Sequence, residues 1–201
     1  WFWNKIFLRT QSRRSPLDPE KLGYIRGSFN VLIDRLAAAI AERGGVVKPG
    51  VNTDALERED GHWVVRTSEG ERVERDALIV TTPSPVLARL VPDLPESYRA
   101  KLGGAVYQGA VILLLQLKHA LSDTYWLNIG DPALPFTGVI EHTNLVGPEH
   151  YQGHHFVYAG KYVDQDHPFF DVDDEELYQT YVPYLQRINP AFTRDWVKKV
   201  W

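Results

Sequence analysis

The residues 149–155, EHYQGHH, bring Glu149, His150, His154 and His155 close together. On a helix, the four-residue spacing of His150 and His154 would set two imidazoles on one face, as a zinc site needs. Pro148 and Gly153 argue for a loop instead, which fixes no ligand geometry, so no metal is expected here. The acidic run DVDDEE (171–176) lacks the Asp-x-Asp-x-Asp-Gly order of a calcium loop and suits the positive first turn of a helix. No Gly-x-Ser-x-Gly elbow exists, so serine hydrolase chemistry has no support. TYWLNIG (124–130) and GVIEHTN (138–144) are different, mixing aromatic, amide, acidic and imidazole groups into apolar strands. Period-2 alternation sets Glu141 and Thr143 opposite Ile140, His142 and Asn144, and sets Tyr125, Leu127 and Ile129 opposite Trp126 and Asn128. Such faces are either pocket walls with a few placed polar contacts or sheet surfaces in water. Both alternatives stay open on residue types alone.

A second stretch with chemical meaning is LGYIRGSFNVLIDRLAAAIAERGGVV (22–47). Glycines feeding a helix can cradle phosphate, but GYIRGS has neither the length nor the Lys of a Walker loop. It also lacks the GxGxxG spacing that follows a strand in dinucleotide sites. Its glycines are those of a helix that starts and stops.

Composition narrows the classes. With 201 residues, 44% hydrophobic, 24% charged and a net charge of −4, the chain is an ordinary globular one without a nucleic-acid footprint. The absence of Cys removes disulfides, thiolate zinc, iron–sulfur clusters and a Cys nucleophile. The most apolar window, GAVILLLQL (109–117), falls far short of the roughly 18–20 residues of a membrane helix. With no secretory leader in the sequence, a cytoplasmic protein is expected, and contact with a membrane surface stays open. The ends, WFWNKIFL and RDWVKKVW, are apolar where termini are usually polar, so a piece of a longer protein is expected.

The elements that would position these groups follow from periodicity. TQSRRSPLDPEKLG (10–23) reads as an exposed connection. A helix is expected over 29–43, with Val31, Leu32, Leu36, Ala39 and Ile40 as its apolar stripe, Ser28 or Asn30 as its cap and Gly44-Gly45 as its stop. VVKPGV (46–51) reads as a short strand and turn. Turns at Asp60-Gly61 and Glu69-Gly70 divide the next segment into three strands. ALIVTT (77–82), continuously apolar, is expected to be a strand buried on both faces and ended by PSP. After a helical link at about 95–101 come four strands, AVYQGAVILLLQL, YWLNIG, FTGVIEHTN and HHFVYAGKYV. A helix in 171–188 is capped by Asp173 and buries Leu177, Tyr181, Tyr184, Leu185 and Ile188.

In that order the segment from Gly23 to about residue 90 resembles the middle of flavin-dependent amine oxidases, protoporphyrinogen oxidases and phytoene desaturases. The shared pattern is a Gly-containing helix start, the helix, GG-x-V, a short strand ending in Val, a three-stranded meander and an apolar strand closing on T-P. Residues 105–190 resemble the substrate domain of bacterial protoporphyrinogen-oxidase-like members. The resemblance implies an α+β chain: part of an FAD-binding α/β domain plus a mostly antiparallel β-sheet substrate domain with helices. It divides the chain into 1–22 (helix and linker of the substrate region), 23–94 (partial FAD-binding domain) and 95–201 (partial substrate-binding domain). It implies FAD contacts at Val51, Thr81, Thr82 and Pro83. It implies that Asn30, with Arg26 and Ser28 beside it, faces the substrate cavity, and Tyr125, Trp126, His142 and Asn144 become substrate-wall candidates. The family's GxGxxG and its C-terminal flavin motif are both absent, so this chain alone is expected to hold FAD weakly or not at all. The implied activity is hydride transfer to flavin from a C–N or C–C bond of a hydrophobic small molecule, with the rest of the protein as partner. A flavin-dependent sugar-nucleotide mutase and a non-catalytic β-rich binding module are the alternatives.

Overall fold

The computed structural model describes residues 3, 4, 7 and 23–201. The chain forms two compact units, 1–47 and 48–201. The connection expected at 10–23 lies outside the described residues except for Gly23, and of the helix and linker expected over 1–22 only Trp3, Asn4 and Phe7 are described; all three are helical.

In the first unit, helix α1 spans Asn30–Glu42. Its stop is a Schellman turn: Gly44, at φ 77°, and Gly45 donate their N–H groups to Ala41 and Ile40. The expected cap is corrected, because Phe29 takes the N-cap position without a side-chain bond. Ser28 Oγ only accepts from Asn30 N at 3.5 Å. The apolar stripe is present, yet none of its residues is buried.

The second unit opens with the expected meander of β1 (Thr53–Glu59), β2 (His62–Thr67) and β3 (Arg72–Arg75), paired antiparallel in that order. Asp60 and Gly61, at φ 47° and 85°, make the tight turn whose twist suits a hairpin. Two sequence expectations fail here. Residues 46–51 form no strand, and Val46 is exposed. Residues 77–82 form no strand and join neither sheet among the described residues. Leu78 and Val80 still pack on Leu56, Leu90 and Val91, while Ile79 between them is 94% exposed. A continuous apolar run signals burial on two faces, and only one is covered here. Helix α2 (Ser84–Leu90) follows, started rather than prevented by its prolines: Pro83 is the N-cap and Pro85 sits in the first turn. Helix α3 (Glu96–Gly103) occupies the expected link.

The remainder is a five-stranded antiparallel sheet of β4 (Gly109–Leu117), β5 (Trp126–Asn128), β6 (Gly138–Glu141), β7 (His155–Val163) and β8 (Val197–Val200). Its spatial order is β5-β6-β7-β4-β8. Val111, Leu113, Leu115 and Leu117 of β4 and Val157, Ala159 and Val163 of β7 are all buried on one face. Helix α4 (Asp174–Ile188) closes that face with Leu177, Tyr178, Tyr181 and Leu185. Asp173 caps α4, its Oδ1 accepting from Glu176 N at 2.8 Å. Asp173→Ala should cost about 1 kcal/mol of stability in urea titration, the usual worth of such a cap. Strand β8 was not expected, since its two central Lys residues break the apolar pattern. They suit an edge strand, where charge discourages further pairing.

Candidate functional site

The face of the five-stranded sheet turned away from α4 carries a cleft of about 370 Å³. Strand register builds it in rows. One row runs Trp126, Ile140, Tyr158, Leu114 across β5, β6, β7 and β4. Trp201 continues that row, exchanging both backbone hydrogen bonds with Leu114. The next row runs Asn128, Gly138, Gly160, Ile112, and a third holds Tyr162 and Ala110. Two glycines in register thus floor a depression walled by Trp126, Tyr158, Tyr162, Ile112 and Ile140. The indole is held in place, its Nε1 donating to Asn128 Oδ1 at 2.9 Å. Thr137 is tied by its N–H and hydroxyl to the Gly160 carbonyl. Among the described lining residues there is no carboxylate and no Arg. Lys161 also lines the cleft, although it shares strand parity with the buried Val157, Ala159 and Val163.

Of the four wall candidates from sequence, only Trp126 lines this cleft. Tyr125 has the opposite parity, with Leu127 and Ile129 against the core, although its ring centroid lies 6.3 Å from that of Trp126. His142 leaves the strand and starts a 3-10 turn, His142–Asn144, where its Nε2 lies 2.7 Å from Tyr151 Oη. Burial holds its imidazole below the usual histidine range, so it is neutral at physiological pH. Tyr151 in turn packs on Phe156, whose ring stacks near Trp201. Asn144 donates to the carbonyls of Ser122 (3.0 Å) and Thr124 (3.2 Å), fixing a loop. Glu141 does the same from inside. Its fully buried carboxylate accepts from Leu121 N at 3.0 Å and Ser122 N at 2.7 Å.

The histidine cluster disperses. His150 lies on the 3-10 turn Pro148–Tyr151, while His154 Nε2 is 3.5 Å from Lys198 Nζ. His155 Nδ1 is 3.6 Å from Glu141 Oε1, too long for a hydrogen bond. Burial, followed by the charge of His119, lowers its affinity for a proton. Among the described residues no three potential ligands converge on a metal position.

Val51 is half-buried, and Thr81, Thr82 and Pro83 are exposed. Among the described residues, no hydrogen bond engages the backbone of Val51 or of 77–82, so these donors and acceptors are available to a ligand. Arg26 and Asn30 are exposed at the start of α1 in the first unit. The cleft residues that sequence reasoning missed, Tyr158, Gly160 and Tyr162, do share one face of HHFVYAGKYV by simple alternation. What the sequence withholds is the register that sets Gly160 beside Gly138.

Among solved structures, the chain is similar to a putative protoporphyrinogen oxidase from Exiguobacterium sp. 255-15, with 19% identity and a TM-score of 0.68 over 87% of this chain and 38% of that one. It is similar to an oxidoreductase from Methanosarcina mazei, with 18% identity and a TM-score of 0.69 over 87% of this chain and 42% of that one. It is also similar to reduced UDP-galactopyranose mutase, with 17% identity and a TM-score of 0.67 over 98% of this chain and 44% of that one. The chain therefore spans less than half the length of each. A search of curated proteins finds no match. No helix among the described residues is long and apolar enough to cross a membrane. The fold is the mixed α+β one of these oxidoreductases, and a family profile described as flavin containing amine oxidoreductase matches residues 4–201: the chain belongs to that family, which implies a flavin cofactor.

Proposed function

We propose that this chain supplies the adenosine-contacting edge and the substrate-facing sheet of an FAD-dependent oxidoreductase that oxidises a neutral, hydrophobic molecule at a C–N or C–C bond. The observation that carries this is the cleft on the outer sheet face, lined among the described residues mainly by aromatic and aliphatic side chains, with Asn128, Thr137 and Lys161 as its polar ones and no carboxylate or Arg. Among the described residues a cationic amine buried there would have no counter-charge, and a sugar-nucleotide pyrophosphate would meet the Lys161 ammonium but no guanidinium to hold it bidentately. A neutral apolar molecule loses nothing by entering, and it is attracted by ring surface.

A bound flavin would supply the hydride-accepting chemistry, while the protein's own residues bind and orient the substrate. The backbone groups of Val51, Thr81 and Thr82, unbonded among the described residues, suit the adenosine end, with Pro83 beside them. Trp126, fixed by Asn128, offers a rigid flat wall to the substrate. Ile112, Ile140 and Tyr158 extend that wall with further apolar surface. His142, neutral and bonded to Tyr151, buttresses the same face without lining the cleft.

In the flavin-loaded protein under anaerobic conditions, neutral apolar substrates should bleach the flavin, whereas diamines and sugar nucleotides should not. Trp126→Ala should raise KM by about tenfold, the equivalent of about 1.4 kcal/mol of lost contact. Bleaching by diamines alone would refute the assignment. The chain by itself lacks a pyrophosphate-binding GxGxxG, so equilibrium dialysis with FAD should find weak binding, and stoichiometric retention would overturn that expectation.

A further inference from the structure

We infer that Gly138 and Gly160 are specificity-determining residues that leave room for a flat, uncharged ring system lying on the sheet. The inference rests on the cleft being the substrate site and adds which class of molecule it takes.

Glycine weakens a strand interior, so two glycines directly opposite one another in β6 and β7 need a reason. Two structural reasons are absent. Neither residue has the positive φ that favours glycine. Neither is demanded by packing: a Cβ at Gly138 would meet only Leu127 O at 3.9 Å, and one at Gly160 would meet Ile112 Cγ1 at 3.4 Å and Val111 O at 3.8 Å. Those are ordinary contacts. Gly109 in the same sheet is the contrast, since a Cβ there would run into the Phe170 ring. Nor do neighbouring rings cover the pair, because no aromatic atom lies within 4 Å of either Cβ position. Among the described residues nothing fills the methyl-free floor.

Its shape selects the occupant. Along β7, Tyr158 and Tyr162 stand two positions either side of Gly160, a span of roughly 13 Å between their backbones. Across the sheet, Asn128 and Ile112 close the row three strand spacings apart, roughly 14 Å. A planar ring system set down between them touches bare backbone below and aromatic edges around it. A globular hydrophobe of equal carbon count meets the walls before it reaches the floor. Among the described residues the lining offers no carboxylate or guanidinium to pair a charged ring, and its ammonium, that of Lys161, has the strand parity of the core-facing Val157, Ala159 and Val163 rather than of the floor.

The test uses equilibrium dialysis of the whole chain with pyrenemethanol as the flat probe and adamantanol as the globular one. Pyrenemethanol should bind the natural protein at least about tenfold tighter than adamantanol. Gly138→Ala and Gly160→Ala should each weaken pyrenemethanol about tenfold and leave adamantanol unchanged. Their Tm should hold or rise, since alanine favours a strand over glycine; a merely structural glycine would show the reverse. Unchanged pyrenemethanol binding in both folded variants overturns the inference. In that case Trp126→Ala separates the two claims: lost binding keeps the cleft and removes the glycine floor, and retained binding removes both. A natural protein that dimerises and becomes monomeric as Gly160→Ala would give this face to a second copy of the chain, which also overturns the proposal.

Discussion

Glu141→Ala should lower the unfolding free energy by about 2–4 kcal/mol, a large share of the about 5–15 kcal/mol that holds a typical domain together. The carboxylate ends β6 on the core side and is fully buried. It accepts the backbone N–H groups of Leu121 and Ser122, and the Ser122 hydroxyl at 3.3 Å. Truncation would orphan the buried Leu121 amide and the half-buried Ser122 amide, at up to about 1–3 kcal/mol each, partly offset by relief of the carboxylate's own burial. Glu141→Gln keeps one acceptor and turns an amide donor on the other N–H, so it should lose less. The loop released, 118–125, carries the carbonyls held by Asn144 and leads directly into Trp126. A urea titration of both variants measures the effect, and an unchanged midpoint for Glu141→Ala would refute the anchoring role.

Glu141 also gives this stability a pH dependence of definite sign. Burial raises its pKa above the ordinary 4.5, against the pull of the Ser122 and Leu121 amides. The folded state then binds its proton more tightly than the unfolded state. Its contribution is therefore fully present below the unfolded value of 4.5 and is lost as pH rises from there through the folded value. Glu141→Gln, which cannot titrate, should flatten that part of the stability profile. A variant that keeps the natural slope would assign it to another group.

How much of this was legible in the sequence depends on whether the signal was local. The Asp60-Gly61 turn, the Gly44-Gly45 stop and the Asp173 cap are set by backbone preferences of the residues themselves, and all three occur as expected. The parity of Trp126, Asn128, Glu141 and Ile140 was also readable, because alternation needs only the strand. Strand pairing is not local. ALIVTT has the apolar continuity of a central strand, yet pairing requires a neighbour, and none of the described residues supplies one. Strand β8 fails in the opposite sense: its Lys pair hides it, although Leu115, Gln116 and Leu117 of β4 accept it as a partner. The site shows the same division. Single wall residues could be named, but the glycine floor exists only through the β6–β7 register. His142 and Asn144 looked like wall residues because the strand was expected to run on past Glu141. The chain instead turns there, and both side chains bond within the protein.

Tyr181→Ala should cost about 3–5 kcal/mol, while Tyr181→Phe should cost about 1 kcal/mol or less. Tyr181 projects from α4 into the core and is fully buried, with its ring 5.1 Å from that of Phe136 and 6.0 Å from that of Phe169. Burial pushes its phenol up to about 12, so the hydroxyl stays protonated and donates to the Pro135 carbonyl. At 3.4 Å that bond is long, which is why the ring and not the hydroxyl carries the energy. Phe136 is also the link to the cleft. It is buried against Tyr181 on one side of the sheet, and the next two residues, Thr137 and Gly138, line the cleft on the other. Removing the ring lets Phe136 sink toward the cavity and draws the glycine floor with it. Tyr181→Ala should therefore lose pyrenemethanol binding together with stability, whereas Tyr181→Phe should keep both near the natural level. A Tyr181→Ala protein that remains folded by circular dichroism and binds the probe undiminished would show that the core does not position the cleft.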